Sequence, residues 1–123
     1  MIKILVVDDE IDICDFVKNF FEERNFRVFV ALGGSEALRI LRKEKPDLIL
    51  LDIKMKEMDG IQTLERIRKL DKNVKVIMVS AVEDQDKMEA AKKLGASKYI
   101  TKPLVLEELE SAVKAHVKEG KNV

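Results

Sequence analysis

The 123-residue sequence has no excess of charge of either sign: Lys and Arg together number 23, and so do Asp and Glu. A basic excess is the usual ground for non-specific binding to nucleic acid or to an anionic membrane, so that ground is missing and charged residues matter by position. Cysteine is nearly missing too. Cys14 stands alone, so no internal disulfide can form, which fits a reducing compartment, and a buried apolar side chain is its plain reading. Long apolar runs are also lacking. The amino-terminal stretch up to Val7 is too short for a signal peptide and meets Asp8 and Asp9 where a cleavage site would lie. No segment approaches the ~20 apolar residues of a membrane span, so the sequence predicts a cytoplasmic protein with no membrane contact and no direct nucleic-acid binding. Internal repeats, linkers and low-complexity stretches are absent. Gly33-Gly34 is not followed by Gly-Lys-Ser/Thr, so it reads as a turn and not a phosphate loop. His116 has no second histidine to join it in a metal site and reads as a solvated or flanking residue.

What is present is a regular alternation. Hydrophobic residues at 46% and charged residues at 37% describe a soluble globular chain and not a disordered one. The length fits one domain, expected over residues 1–119 with a frayed tail at 120–123. Ile4 to Val7, Phe26 to Ala31, Leu48 to Leu51, Val74 to Val79 (closed by Ser80) and Lys98 to Thr101 are short apolar or β-branched runs that read as strands. Leu48 to Leu51 is too continuously apolar for a half-exposed strand and predicts one buried on both faces, as in a parallel sheet. Between the strands the spacing turns helical: Ile13, Cys14, Phe16, Val17, Phe20 and Phe21 over Ile11 to Arg24; Ala37, Leu38, Ile40 and Leu41, with Ser35 or Gly34 as cap; Ile61, Leu64 and Ile67; Leu106, Leu109, Val113 and Val117. The helix over about Asp84 to Leu94 has only Met88, Ala91 and Leu94 on its inner face and stops at Gly95, so it is expected to be the least firmly packed. Met88, Phe20 and Phe21 are assigned to the core. Five strands alternating with five helices call for an α/β fold, a doubly wound parallel sheet with helices on both faces.

The carboxyl ends of parallel strands are where open α/β sheets bind ligands, and in this chain those ends are polar. Asp8 and Asp9 follow the first strand, Asp52 the third, Ser80 ends the fourth and Lys102 follows the fifth. Three crowded carboxylates repel one another unless a cation neutralises them. A hard divalent ion with oxygen ligands suits them, and Mg2+ fits best because it is held by one or two carboxylates together with waters and phosphate oxygens. A carboxylate beside such an ion can act as a nucleophile towards phosphorus, with Lys102 and the Ser80 hydroxyl meeting the phosphoryl oxygens. Each residue also has a plainer reading. Asp8 and Asp9 alone fit a helix cap, Ser80 a turn, Lys102 a surface cation, and Tyr99 a strand aromatic with its hydroxyl in water; only the joint placement favours a site. Asp52 is the hardest to dismiss, since a charge after a buried strand is costly unless it has a task.

With these motifs in this order the chain resembles, over essentially its whole length, the receiver domain of response regulators in two-component signalling, of the single-domain chemotaxis type. The resemblance implies a flavodoxin-like (βα)5 fold with strand order 2-1-3-4-5. It implies Asp52 as phosphoacceptor, Asp8, Asp9, Asp52 and the backbone carbonyl of Lys54 around Mg2+, Ser80 and Lys102 as the phosphoryl-binding pair, and Ser80 with Tyr99 as the switch. It further implies phosphoryl transfer from a sensor histidine kinase or a histidine phosphotransfer protein, with self-catalysed hydrolysis. The output is read by a downstream protein or effector domain on the face of the fourth helix, fifth strand and fifth helix, and a second copy in a phosphorylation-dependent dimer is among the partners it allows. The usual Met-Pro-x-Met-Asp-Gly reads Met55-Lys56-Glu57-Met58-Asp59-Gly60 here, so Lys56 replaces the proline and a looser loop is expected. Lys54 and Val82 fall where the family tunes phosphoryl lifetime. Two other classes compete. A phosphatase of the haloacid dehalogenase type needs a second aspartate two residues after the nucleophile, and that position is Lys54; a non-phosphorylated binding module would lack the acidic pair or Lys102. No helix-turn-helix follows Val123, so the chain is expected either to act alone on a partner or to be the receiver of a longer regulator.

Overall fold

The computed structural model describes residues 1–81 and 84–121, with the side chains of 118–121 excepted. Five strands, β1 (Lys3–Val7), β2 (Arg27–Ala31), β3 (Leu48–Leu51), β4 (Lys75–Ser80) and β5 (Lys98–Thr101), alternate with five helices, α1 (Ile11–Glu22), α2 (Gly34–Glu44), α3 (Gly60–Leu70), α4 (Gln85–Lys93) and α5 (Leu106–Lys121). All pairings are parallel, in the order β2-β1-β3-β4-β5, the flavodoxin-like arrangement. The expected tail from Gly120 overlaps the end of α5, and Asn122 and Val123 lie outside the described residues. No described helix is long and apolar enough to cross a membrane.

The period-two pleat sends successive side chains of the central strands to opposite faces. Leu5, Val7, Ile49, Leu51, Val76 and Met78 pack with Leu38 and Leu41 of α2 and Leu64 and Ile67 of α3. Ile4, Val6, Leu48, Leu50, Ile77 and Val79 pack with Cys14, Val17 and Phe21 of α1 and Leu109, Val113 and Val117 of α5. All four residues of β3 are buried, so the continuous apolar run feeds two cores. At roughly 1.5–3 kcal/mol per buried large apolar side chain, this double burial fixes β3 at the centre and its end at the middle of the sheet edge.

Several details depart from the sequence-based expectation. α1 ends at Glu22 and not at Arg24, because Asn25 takes φ 69 and turns the chain into β2; Asn tolerates this left-handed region better than most residues. Within α1, Phe21 is fully buried and Phe20 partly so, but Phe16 is 57% exposed. The inner stripe runs through Cys14, Val17 and Phe21, and Phe16 falls on the opposite side of the helical wheel. Val74 is buried but precedes β4. The cap of α2 is Gly33, with no side-chain hydrogen bond; Gly34 and Ser35 lie inside the first turn. Met88 is not core: it is half-buried and lines a surface groove with Tyr99. Ala91 is the one buried residue among those of α4, consistent with its weak amphipathic pattern, and Gly95 adopts the left-handed φ of 80 that ends it.

Candidate functional site

β1 and β3 are neighbours in register, Val7 opposite Leu51, so the residues that follow them emerge side by side. The Asp52 N–H donates to Val7 O at 3.0 Å, which places Asp52 directly beside Asp8. Both side chains are buried, Asp8 at 4% and Asp52 at 5% exposure, and Asp9 is half-buried. One carboxylate oxygen from each of Asp8, Asp9 and Asp52 lies within 4.8 Å of the other two. Local hydrogen bonds hold the acids in place. Asp8 Oδ1 accepts from the Glu10 N–H at 2.9 Å, the Cys14 thiol donates to Asp8 O at 3.2 Å, and Asp9 Oδ2 accepts from the Lys56 N–H at 3.1 Å. Burial, reinforced by the charge of Asp8, pushes the Cys14 thiol up to about 12, so Cys14 is inert packing with one weak donor.

β5 delivers the cation. Ser80 pairs with Thr101, the Lys102 N–H donates to Ser80 O at 2.9 Å, and a cis Lys102-Pro103 peptide then turns the chain away. Lys102 Nζ lies 2.9 Å from Asp8 Oδ2, 3.4 Å from Asp52 Oδ2 and 3.6 Å from Glu10 Oε1. Burial pulls the Lys102 ammonium down, but its hydrogen bond to Asp8 and the charges of Asp52 and Asp8 outweigh this and hold it above its usual value. Ser80 is fully buried, and its hydroxyl favours the charged form of the Asp52 carboxylate. Even so, burial and then the charge of Asp8 push the Asp52 carboxyl above the usual range, with Lys102 and Ser80 only partly offsetting them.

One oxygen is left over. Asp52 Oδ1 is buried and has no hydrogen-bond partner among the described residues. A buried polar atom without a donor is costly. An orphaned anionic oxygen beside two further carboxylates is the donor set that a hard, oxygen-liganded divalent cation takes, so the residues fit a metal of that class.

Asp8, Asp9, Asp52, Ser80 and Lys102 therefore meet at one edge. Lys54 and Lys56 are exposed on the loop after β3. Tyr99 is half-buried on β5 opposite Met78, outside this cluster, and lines the grooves on both sides of the strand. His116 is half-buried on α5, and its Nδ1 donates to Ala112 O at 2.7 Å, since a carbonyl can only accept. Val82 lies outside the described residues. Sequence reasoning did not single out Glu10, which completes the charge ring around Lys102; its place in the run Asp8-Asp9-Glu10 was the available signal.

The profile of the response regulator receiver domain matches residues 4–114. Sporulation initiation phosphotransferase F of Bacillus subtilis is 39% identical over 115 residues, 94% of this chain and 93% of that protein. Among solved structures, a CheY-like response regulator receiver domain protein from Methanospirillum hungatei JF-1 superposes with a TM-score of 0.95 at 31% identity, covering 99% of this chain and 98% of its own. The response regulator TrrA from Thermotoga maritima, solved in complex with Mg2+-BeF, gives 0.84 at 32% identity, covering 94% and 98%. The chain spans about half the length of longer transcriptional regulators that it also matches. An acidic triad, with Asp8 and Asp52 buried, and a lysine converging on the carboxyl edge of a 2-1-3-4-5 sheet thus have the expected kin, and the chain belongs to the response regulator receiver domain family, the phosphoacceptors of two-component signalling and not conventional enzymes.

Proposed function

We propose that Asp52 is the phosphoacceptor, taking a phosphoryl group from the phosphohistidine of a sensor kinase or histidine phosphotransfer protein in the cytoplasm. The observation that carries this is the state of its carboxylate: buried, pushed above the usual range, and keeping one oxygen without a donor. A raised pKa makes the ionised carboxylate a stronger nucleophile than an exposed one, and burial keeps competing water off it. A carboxylate oxygen of Asp52 forms the new O–P bond as the P–N bond breaks and the donor imidazole leaves with its electron pair. Lys102, already 3.4 Å from Asp52 Oδ2, is positioned to pair with one phosphoryl oxygen, and the Ser80 hydroxyl to donate to another. The carboxylates of Asp8, Asp9 and Asp52 and the backbone carbonyl of Lys54 would hold Mg2+, which supplies charge neutralisation at the phosphoryl oxygens. The resolved complex of TrrA supports the choice of metal. Hydrolysis of the acyl phosphate by water returns the carboxylate and releases inorganic phosphate.

The switch follows from where Ser80 sits. A phosphoryl oxygen on Asp52 draws the Ser80 hydroxyl inward, and Tyr99 turns towards the space so left, changing the face of α4, β5 and α5 that a downstream protein, an effector domain or a second copy reads. A ratio change from mostly resting to mostly active needs about 5 kcal/mol, within reach of several charge-assisted hydrogen bonds. Incubation with acetyl phosphate is expected to add one phosphoryl group by intact mass with Mg2+ present, and none after chelation or in Asp52→Asn. An equal adduct in Asp52→Asn would refute the assignment.

A further inference from the structure

Apolar burial does little to hold α4, in which only Ala91 among the residues Gln85–Lys93 is buried, so polar contacts set its position. Two of these come from α3 and differ in kind. Arg68 donates from Nε to Leu94 O at 2.6 Å and from Nη2 to Gly95 O at 3.1 Å, while Nη1 reaches Val74 O at 2.8 Å and Asp71 O at 3.2 Å. The carboxyl-terminal end of α4 is thus pinned by a rigid charged fork on backbone carbonyls. Near the amino-terminal end there is, among the described residues, one half-exposed ion pair, Lys87 Nζ to Asp59 Oδ2 at 3.3 Å.

Asp59 is a well-fixed partner. It caps α3 in a capping box: Asp59 Oδ1 accepts from the Gln62 N–H at 2.8 Å and Gln62 Oε1 from the Asp59 N–H at 3.1 Å. Its neighbour is seated on the peptide of Asp52 itself. The Gly60 N–H donates to Ile53 O at 2.7 Å, and a Cβ at Gly60 would run into the Asp52 carbonyl oxygen and Ile53 Cα. The Asp59–Gly60 segment therefore moves with the Asp52–Ile53 backbone, and Lys87 joins α4 to that unit.

We infer that Lys87 is a positioning residue for Asp52. Through Asp59 it latches the amino-terminal end of α4 to the phosphoacceptor loop and holds both in the resting arrangement, with the Arg68-pinned end as the pivot. This rests on Asp52 as the phosphoacceptor and adds how its resting state is held. Any movement of α4 that accompanies phosphorylation has to break the pair. A weaker pair therefore raises the fraction of molecules already in the activated arrangement, and a ligand selective for that arrangement binds more tightly.

The test is the affinity of the whole chain for beryllofluoride with Mg2+, by calorimetry. Lys87→Met and Asp59→Asn are each expected to bind about two- to fivefold more tightly than wild type, the span set by a partly exposed ion pair worth up to ~1 kcal/mol. Asn caps a helix as well as Asp does, so Asp59→Asn removes the charge and keeps the cap. The double variant is expected to gain nothing beyond either single one, Lys87→Arg to behave as wild type, and amide exchange in unliganded Lys87→Met to quicken at Gln85 to Ala90 but not at Ala91 to Gly95. Mere loss of a cation near an anion site predicts the opposite sign, weaker binding. Unchanged or weaker binding by Lys87→Met, or additive gains in the double variant, overturns the latch while Asp52-dependent binding by wild type stands. No Asp52-dependent binding by wild type overturns the phosphoacceptor reading and the latch together.

Discussion

At the scale of single residues, the site is built against stability. Asp52 is pushed up first by burial and then by Asp8, and Lys102 and Ser80 do not cancel this. The folded chain therefore binds the Asp52 proton more tightly than the unfolded chain does. As pH rises from the ordinary aspartate range of about 3.9 through the raised folded value, stability is lost, and above that value the full cost of the buried charge is present. An uncharged amide of the same shape carries no such cost. Asp52→Asn is accordingly expected to raise the melting temperature by a few degrees at neutral pH and to match wild type near pH ~3, where both forms are neutral. A variant that melts lower at neutral pH would show that the pairing with Lys102 outweighs burial. Lys102 works in the other direction: its raised value contributes stability that is fully present below the unfolded lysine value and is lost as pH climbs through the folded one.

At the scale of elements, loops as much as strands place the site. Gly60 starts α3 in contact with the backbone of Asp52, where a side chain has no room. Gly60→Ala is expected to cost about 1–3 kcal/mol in urea unfolding, as overpacking does, and to slow adduct formation by moving Asp52; a neutral result would mean the loop yields freely. The strands were legible because β3 is apolar without a break and because each strand's polar residue interrupts such a run. Caps, wheel margins and pairings between helices were not. Gly33 caps α2 through backbone alone, so no side chain announced it. Phe16 and Met88 carry apolar side chains at positions that the helix axes turn outwards or leave at a groove. The Lys87–Asp59 pair joins residues 28 positions apart, a contact that no periodicity in either helix encodes. Asp8, Asp9, Asp52, Ser80 and Lys102 were legible together because parallel topology sends every strand's end to one edge, whereas Glu10 escaped because an exposed acid just before a helix looks like any other.

At the scale of the molecule, one sheet separates two cores and β3 belongs to both. Leu50 faces α1 and α5, Leu51 faces α2 and α3. Because the same strand links the two, neither face can melt alone. Leu50→Ala and Leu51→Ala are each expected to lose about 2–5 kcal/mol, with circular dichroism and beryllofluoride binding lost in one coincident transition. Non-coincident transitions in either variant would show that the faces unfold separately. In the proposed switch, this frame, with α4 lightly held at its rim, would let a phosphoryl group at Asp52 be read at a distance without loss of the fold.

The most direct test of the account is to locate the phosphoryl group. Borohydride reduction of the chain after exposure to acetyl phosphate and Mg2+ converts an acyl phosphate to the corresponding alcohol, which peptide mass mapping then finds. The account predicts homoserine at position 52 alone. Reduction at Asp8 or Asp9, or at no aspartate despite an adduct in the intact mass, would contradict it.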